Sequence, residues 1–365
     1  MTAPAKARPD VADNLRKAAE QVDMFPDMIV EHPGVLKLRE RFIMPPFSVL
    51  DARQGAWQDR KRDWISLGLK SEDGRDARTY GKNAGNDEVT QKLLALSNGQ
   101  SIFDPVLCEL TYKWYCPPGG RILDPYAGGS VRGLVAAHTE RVYDGIDLSA
   151  MQIAANEAQA ATWAANDLFL PEHYPTWHHA DSWAALAPGA SVVDDGPYDF
   201  VMSCPPYHDL EVYSDHPDDQ SNMPWDKFAE RYTETIEGAV DRLADDRFAA
   251  FVIGEIRGKD GMYRDFMGLT VRAFERAGAA YYNETILVTS VGTLPLRAAK
   301  QFVVSRKVGK THQTLLVFVK GDPRKAAAAC MEREVLEDAT GHGIAALDAV
   351  EDVDGVDDLT GGAAK

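Results

Sequence analysis

The chain is poor in cysteine. Four occur in 365 residues, Cys108, Cys116, Cys204 and Cys330, widely spaced and without a C-x-x-C pair. That spacing fits neither a disulfide framework nor a zinc site, and it points to a reducing, cytoplasmic setting. Long apolar runs are also missing: the most apolar stretches, such as 248–253, fall far short of the ~20 residues that span a bilayer. The first ten residues are polar and carry Lys6 and Arg8 with no apolar segment behind them, so no secretory signal is expected. No internal repeat of the kind that builds solenoids is visible. Positive charge is scarce as well. Against 56 Asp and Glu stand 39 Lys and Arg, a net of −17, which taken alone argues against a nucleic-acid partner. What remains is ordinary, with 45% hydrophobic and 26% charged residues, values that argue against wholesale disorder.

The acidic excess is local. Residues 331–365 hold ten acids against Arg333 and Lys365, with little apolar periodicity, and read as a solvated, disordered tail. Residues 208–226 hold six acids and no Lys or Arg, so the two blocks account for −14 of the −17. Two other segments are basic. Residues 37–82 carry eleven Lys or Arg against seven acids, including Arg60-Lys61-Arg62 between Trp57 and Trp64, and residues 297–325 carry eight against Asp322 alone. Basic residues interleaved with aromatics can track a phosphate backbone and stack on bases; they can equally form a solvated face with structural tryptophans. The expected organisation is a partly helical basic extension over 1–98, a core over 99–322 with 208–226 as an acidic lid or recognition loop, and an acidic tail over 323–365.

Within the core, short strands are expected at 121–123, 142–146, 177–179, 198–202, 248–253, 281–288 and 314–319, separated by helices at about 131–139, 149–166, 225–243 and 266–277. Ser149 is placed to cap the second of these helices. Strands regularly separated by helices imply an α/β, doubly wound, mostly parallel seven-stranded sheet, in which ligands bind beyond the carboxyl ends of the strands.

Two loops at those ends carry the chemistry. Asp124-Pro-Tyr-Ala-Gly-Gly-Ser-Val-Arg-Gly133 joins the first core strand to its helix, and its adjacent Gly128 and Gly129 allow close approach of backbone to a ligand. Asp147 ends the next strand, where carboxylates accept hydrogen bonds from ribose hydroxyls. Ser130 stands where a dinucleotide fingerprint requires its middle glycine, so NAD is poorly supported. Val304 similarly rules out a phosphate loop ending at Gly309-Lys310-Thr311. The second loop, Asp199-Phe-Val-Met-Ser-Cys-Pro-Pro-Tyr207, is sharper.

Together the loops resemble those of the S-adenosylmethionine-dependent amino-methyltransferases, whose signature is Asp, Asn or Ser followed by Pro-Pro and an aromatic residue. The resemblance covers about 101–320. It implies a Rossmann-like methyltransferase core with S-adenosylmethionine as cofactor. The cofactor would be held by Phe103, Asp104 and Pro105, by Asp124, Tyr126, Gly128 and Gly129, by Asp147 and Leu148, and by Asp181, which would face the adenine amino group. It further implies methyl transfer to an exocyclic amine of adenine or cytosine, with Ser203, Cys204, Pro205, Pro206 and Tyr207 as the catalytic loop. The acidic insertion and the stretch from Pro45 to Gly55 are similar to bacteriophage DNA modification methylases, which makes DNA the expected partner, held by the basic segments 37–82 and 297–325.

The physical logic of the second loop stands by itself. An aromatic amine is a poor nucleophile because its lone pair is delocalised into the ring. Acceptors at its two N–H groups localise that pair, and a prolyl stretch offers a rigid carbonyl with no competing N–H. Tyr207 would stack on a base rotated out of its helix, worth ~1–3 kcal/mol. Cys204 departs from the pattern, since a thiol is a weak acceptor. Several readings stay open: Ser203 serves instead, a thiolate forms, transfer is slow or lapsed, or Cys204 attacks a pyrimidine ring covalently; a buried small residue at a strand end is the bland one. RNA, a protein glutamine amide and a non-catalytic nucleic-acid-binding role remain as alternatives. No metal is expected, because the adjacent His178 and His179 point apart along a strand. His312 reads as an ordinary loop histidine.

Overall fold

The computed structural model describes residues 39, 42–53, 55–70, 103–208, 216–292 and 294–331. The chain divides into two units, Met1–Phe47 and Ser48–Lys365. The described part of the first ends in a tight turn, where the Phe47 N–H donates to the Pro45 carbonyl at 2.8 Å.

The second unit carries one eight-stranded sheet. In chain order its strands are β1 (Val49–Asp51), β2 (Arg121–Asp124), β3 (Val142–Asp147), β4 (Thr176–His179), β5 (Tyr198–Ser203), β6 (Leu243–Ile253), β7 (Ala279–Val288) and β8 (His312–Lys320). They lie in the order β1-β7-β8-β6-β5-β2-β3-β4. β8 runs antiparallel to β6 and β7, and every other neighbouring pair is parallel. The helices are α1 (Gly55–Ser66), α2 (Pro105–Tyr115), α3 (Val131–His138), α4 (Ala150–Ala164), α5 (Ser182–Ala185), α6 (Trp225–Arg242), α7 (Phe266–Arg276), α8 (Leu294–Ser305) and α9 (Pro323–Ala329). The fold is thus the doubly wound, mostly parallel α/β architecture.

Sequence and structure correspond closely where strands are buried on both faces. Residues 248–253 of β6 and 314–319 of β8 are buried without interruption, which is why they read as continuous apolar runs. α6 buries Phe228, Tyr232, Ile236 and Val240, spaced by four along one face. α7 buries Phe266, Thr270 and Phe274 in the same way, and Phe274 stacks on Phe318 of β8 with ring centroids 3.9 Å apart. Each such fully buried aromatic contributes about 1.5–3 kcal/mol of apolar transfer. Ser149 caps α4, its hydroxyl accepting from Gln152 N at 3.2 Å.

Three features depart from expectation. The eighth strand, β1, comes from the segment read as an extension: Val49 pairs with Ile286 and Ala52 N donates to the Val288 carbonyl at 2.9 Å, which covers the otherwise open edge of β7. Three residues are too few to show a strand period. α1 is docked on α2 by two acids. Glu109, only 2% exposed, accepts from Trp64 Nε1 at 2.9 Å and from Arg60, and Asp104 accepts from Trp57 Nε1 at 3.2 Å and Lys61 Nζ at 3.0 Å. Residues 323–329, read as the start of a disordered tail, are helical because Asp322 caps Arg324 N at 2.7 Å and Ala326 is buried. The rest of that tail, 332–365, lies outside the described residues, as do 1–38 and 71–102.

Trp57→Ala is expected to destabilise the chain by ~3–5 kcal/mol, the cost of emptying a buried tryptophan site, measured by urea unfolding. A detachable arm would tolerate the change almost without effect.

Candidate active site

Strand order reverses at β2. The chain places β3 and β4 on one side of β2, then β5 and β6 on the other, so the loops leaving β2 and β5 diverge and open the crevice where such sheets bind ligands. Both loops singled out in the sequence leave from these two strands.

A buried carboxylate joins them. Asp124, at the end of β2, is fully buried and accepts four hydrogen bonds. Oδ1 takes the Tyr126 N–H at 3.1 Å and the Ser203 hydroxyl at 2.6 Å; Oδ2 takes Arg132 Nε at 2.5 Å and the Tyr143 hydroxyl at 2.7 Å. Two carboxylate oxygens offer about four lone pairs, so Asp124 has none left for a ligand and acts as a positioning residue. Ser203 is buried; its hydroxyl donates to Asp124 and its oxygen accepts from Tyr126 N at 3.1 Å, which leaves it one lone pair. Arg132, in the first turn of α3, donates further to the carbonyls of Tyr126 and Ala127, and its guanidinium lies 4.7 Å from the Phe103 ring centroid.

The glycine loop is shaped by its neighbours. Gly128 has φ +53°, a left-handed backbone that favours glycine, although a Cβ there would meet nothing within 4 Å. Its N–H donates to Asp147 Oδ2 at 2.8 Å and its carbonyl accepts from Asn156 Nδ2 at 2.8 Å. Gly129 is buried. Asp147 is half-buried, and Oδ1 accepts from Ser149 N at 2.8 Å. One lone pair on each of its oxygens therefore remains for a pair of donors. Burial pushes this carboxyl up to about 6, against the lowering effect of the two N–H groups. Leu148 lies beside it, half-buried, its carbonyl accepting from His179 Nε2 at 3.1 Å, while His178 Nε2 bonds Asp144 at 2.9 Å.

Asp181 caps α5 through Trp183 N at 3.2 Å and pairs with Arg231 at 3.3 Å; burial raises its carboxyl pKa. Arg231 also reaches Asp218 at 3.3 Å and lies 4.3 Å from the Trp183 ring centroid. Asp104 caps α2 and holds α1, and Pro105 begins that helix.

Beyond Ser203 the chain enters Cys204, half-buried, Pro205, buried, and Pro206 and Tyr207, both half-buried. The Tyr207 ring meets Phe266 edge-on at 6.2 Å between centroids. Phe266 in turn contacts Trp225, Phe228 and Tyr232, so the loop rests on a continuous aromatic wall. Glu255, after β6, accepts from Phe266 N at 3.3 Å and Met267 N at 3.0 Å, and so holds the start of α7 in place.

The acidic block is largely structural where it is described. Asp218 pairs with Arg231, Asp219 is buried and caps the turn Gln220–Asn222, and Asp226 lies in the first turn of α6, where negative charge is favoured. The Tyr126 hydroxyl donates to Gln220 at 3.2 Å, and buried His208 bonds the Met223 carbonyl at 2.8 Å. Asp219, Gln220, Ser221 and Met223 are buried, and 209–215 lie outside the described residues. The Arg60-Lys61-Arg62 cluster is committed too, to Glu109, Asp104 and Asp59.

The structure thus brings Tyr126, Gly128, Gly129, Asp147, Leu148 and Asp181 to one sheet edge with the 203–207 loop. Arg132, Arg231, Gln220 and Glu255 escape sequence reasoning. Only Arg132 leaves a signal, as a lone charge in an otherwise apolar helix that must find a partner.

No protein-family profile and no curated protein matches the chain. Among solved structures it is similar to TrmN from Thermus thermophilus, at 16% identity over 60% of this chain and 49% of that one, with a TM-score of 0.38. The chain thus spans about half of that protein's length. It is also similar to a TehB-like SAM-dependent methyltransferase from Corynebacterium glutamicum, at 14% identity over 63% and 94%, TM-score 0.36. A third is the magnesium protoporphyrin IX methyltransferase ChlM from Synechocystis PCC 6803 with bound SAM, at 11% identity over 72% and 94%, TM-score 0.36. Among the described residues no helix is long and apolar enough to cross a membrane.

Arg132→Leu leaves Asp124 buried without its cation. The expected cost is ~3–5 kcal/mol, read as a lowered denaturation midpoint.

Proposed function

We propose that the chain is an S-adenosylmethionine-dependent methyltransferase that modifies an exocyclic amine of adenine or cytosine in DNA. The observation that carries this reading is the junction of the two loops through Asp124, which holds the glycine turn and the Cys204-Pro205-Pro206-Tyr207 stretch against each other at the strand-order reversal.

The crevice residues fit the cofactor. Asp147 retains an acceptor site on each oxygen for a ribose diol, and Gly128 and Gly129 allow close approach of the backbone. Leu148 supplies apolar wall, and Asp181 keeps an acceptor near the edge of β4 for an amino group. S-adenosylmethionine, when bound, supplies an electrophilic sulfonium methyl. The chain's own task is to present the amine. Cys204 Sγ and the Pro205 carbonyl accept from its two N–H groups, Tyr207 stacks on the base, and the aromatic wall behind Tyr207 keeps that ring in place. Most of the rate gain is then positioning.

Protein incubated with labelled cofactor and DNA, RNA or protein, then digested and analysed by mass spectrometry, is expected to yield N6-methyladenine or N4-methylcytosine from DNA. Label on RNA or protein alone would move the substrate class, and bound cofactor without transfer would leave a binding protein. Cys204→Ala is expected to slow transfer about tenfold, the scale of one lost hydrogen bond, and Cys204→Ser to restore it. Tyr207→Ala with unchanged transfer would contradict the stacking role.

Cofactor affinity should also depend on acidity. Ribose hydroxyls donate to ionised Asp147, so binding is full above about pH 6 and weakens as pH falls through that value, about tenfold per unit below it. Isothermal titration across this range is expected to show the slope, and Asp147→Asn to flatten it.

A further inference from the structure

The segment between β7 and β8 has a form that the chemistry of the crevice does not explain. Residues 289–311 carry five Lys or Arg and no acid. The segment is closed at its root, where Thr289 N donates to the Thr311 carbonyl at 2.9 Å and Leu294 packs so tightly on Gly309 that a Cβ there would come within 2.6 Å of it. Between these points stands α8. Its last turn and a half is exposed on consecutive positions: Phe302 is 46%, Val303 73% and Val304 78% exposed, and Val308 just beyond is 67% exposed. A helix normally buries its apolar stripe, and paired valines are mediocre helix formers. Here they face solvent, beside exposed Lys300 and Arg306, whose guanidinium lies 5.3 Å from the Phe302 ring centroid.

Position adds to composition. β7 ends and β8 begins at the sheet edge where β2, β5 and β6 end, with Val288 opposite His312 and Ile253 opposite Thr314. Lys310, at the root of the arm, packs its ammonium over Gly254; a Cβ on that glycine would lie 2.6 Å from Nζ and 3.8 Å from the Tyr207 ring. The arm is therefore rooted beside the loop proposed to receive the base.

We propose that 289–311 is a cationic arm that docks on duplex nucleic acid, with Val303 and Val304 inserting as an apolar wedge into the base stack. This inference rests on the nucleic-acid reading above and deepens it. Removing a base from the stack costs a few kcal/mol, and an apolar side chain that enters the gap offsets part of it. Lys300 and Arg306 are placed to meet phosphates on either side, where each contact adds to the salt dependence of binding. The absence of any acid in the arm favours a polyanion over a protein partner. The edge it shares with Tyr207 favours a duplex over an anionic membrane, the other surface that a basic, apolar helix can enter.

The test uses the full chain and needs no knowledge of a target sequence. Binding to a 20-bp duplex is compared, by fluorescence anisotropy, with binding to the same duplex carrying a central abasic site, where the unstacking cost is already met. Wild type is expected to prefer the abasic duplex by about tenfold. Val303→Ser with Val304→Ser keeps helix propensity nearly constant and is expected to erase the preference. Lys300→Gln with Arg306→Gln is expected to weaken binding to both duplexes alike, retain the preference and flatten the salt dependence. No preference in wild type, or one untouched by the serine pair, would overturn the wedge. So would co-sedimentation with phosphatidylglycerol vesicles that the serine pair abolishes while duplex binding is unchanged. Because the readout is binding, a preference that behaves as expected in a protein that methylates no DNA would retain the wedge and refute the chemistry alone. DNA methylation with no such preference would do the reverse.

Discussion

Everything at the crevice hangs on one buried carboxylate. Asp124 is out of water, and a charge so placed is tolerable only when its lone pairs are filled. The four donors come from four places: the turn after β2, the end of β5, α3 and β3. Meeting the needs of one charge therefore fixes the register of the glycine turn against the Cys204 loop and of both against the helix that follows. Arg132 extends the same constraint to the Phe103 ring and to two loop carbonyls. A hydrophobic pair of equal volume would fill the space without specifying that geometry, whereas a hydrogen-bonded charge specifies direction as well as distance.

The same economy governs the rest of the charge. The acids that make the chain anionic overall are, where described, often helix caps and anchors: Asp104 and Glu109 hold α1, Asp219 and Asp226 shape the loop before α6, and Asp218 ties that loop through Arg231 to Asp181. Arg60 and Lys61 of the N-terminal segment are the partners of Glu109 and Asp104. The arm between β7 and β8 is different, for its cations have no acid within the segment to meet. Net charge is thus a poor guide to what the surface offers, because it sums residues whose fields are already cancelled with residues whose fields reach solvent.

Packing behind the site follows from α6 and α7. Their aromatic faces meet over β6, so that Tyr207 rests on Phe266, and Phe266 on Tyr232 and Phe228. Glu255 fixes the first turn of α7 by accepting two of its unpaired N–H groups. Rigidity at the Tyr207 ring is therefore inherited from the core and does not depend on the loop's own short length.

Local pattern alone determined the strand series from β2 to β8, four of the helices between them and the two loops at its carboxyl edge, but not α5 or α8. Periodicity, glycine and proline act over a few residues, and strands buried on both faces leave unbroken apolar runs. The candidate roles were legible only in part. Asp147 is placed as its strand end implies, while the partners that Asp104 and Asp124 take from far along the chain, such as Trp57 and Ser203, leave no mark in the sequence. β1 was invisible because three residues carry no period, and α1 looked like a free basic surface because its acids lie far along the chain on α2. Which carboxylate is open to a ligand and which cation is open to solvent depends on who fills each lone pair and each field. Only the tertiary structure decides that, since hydrogen bonds and ion pairs are made in space and sequence distance does not encode them.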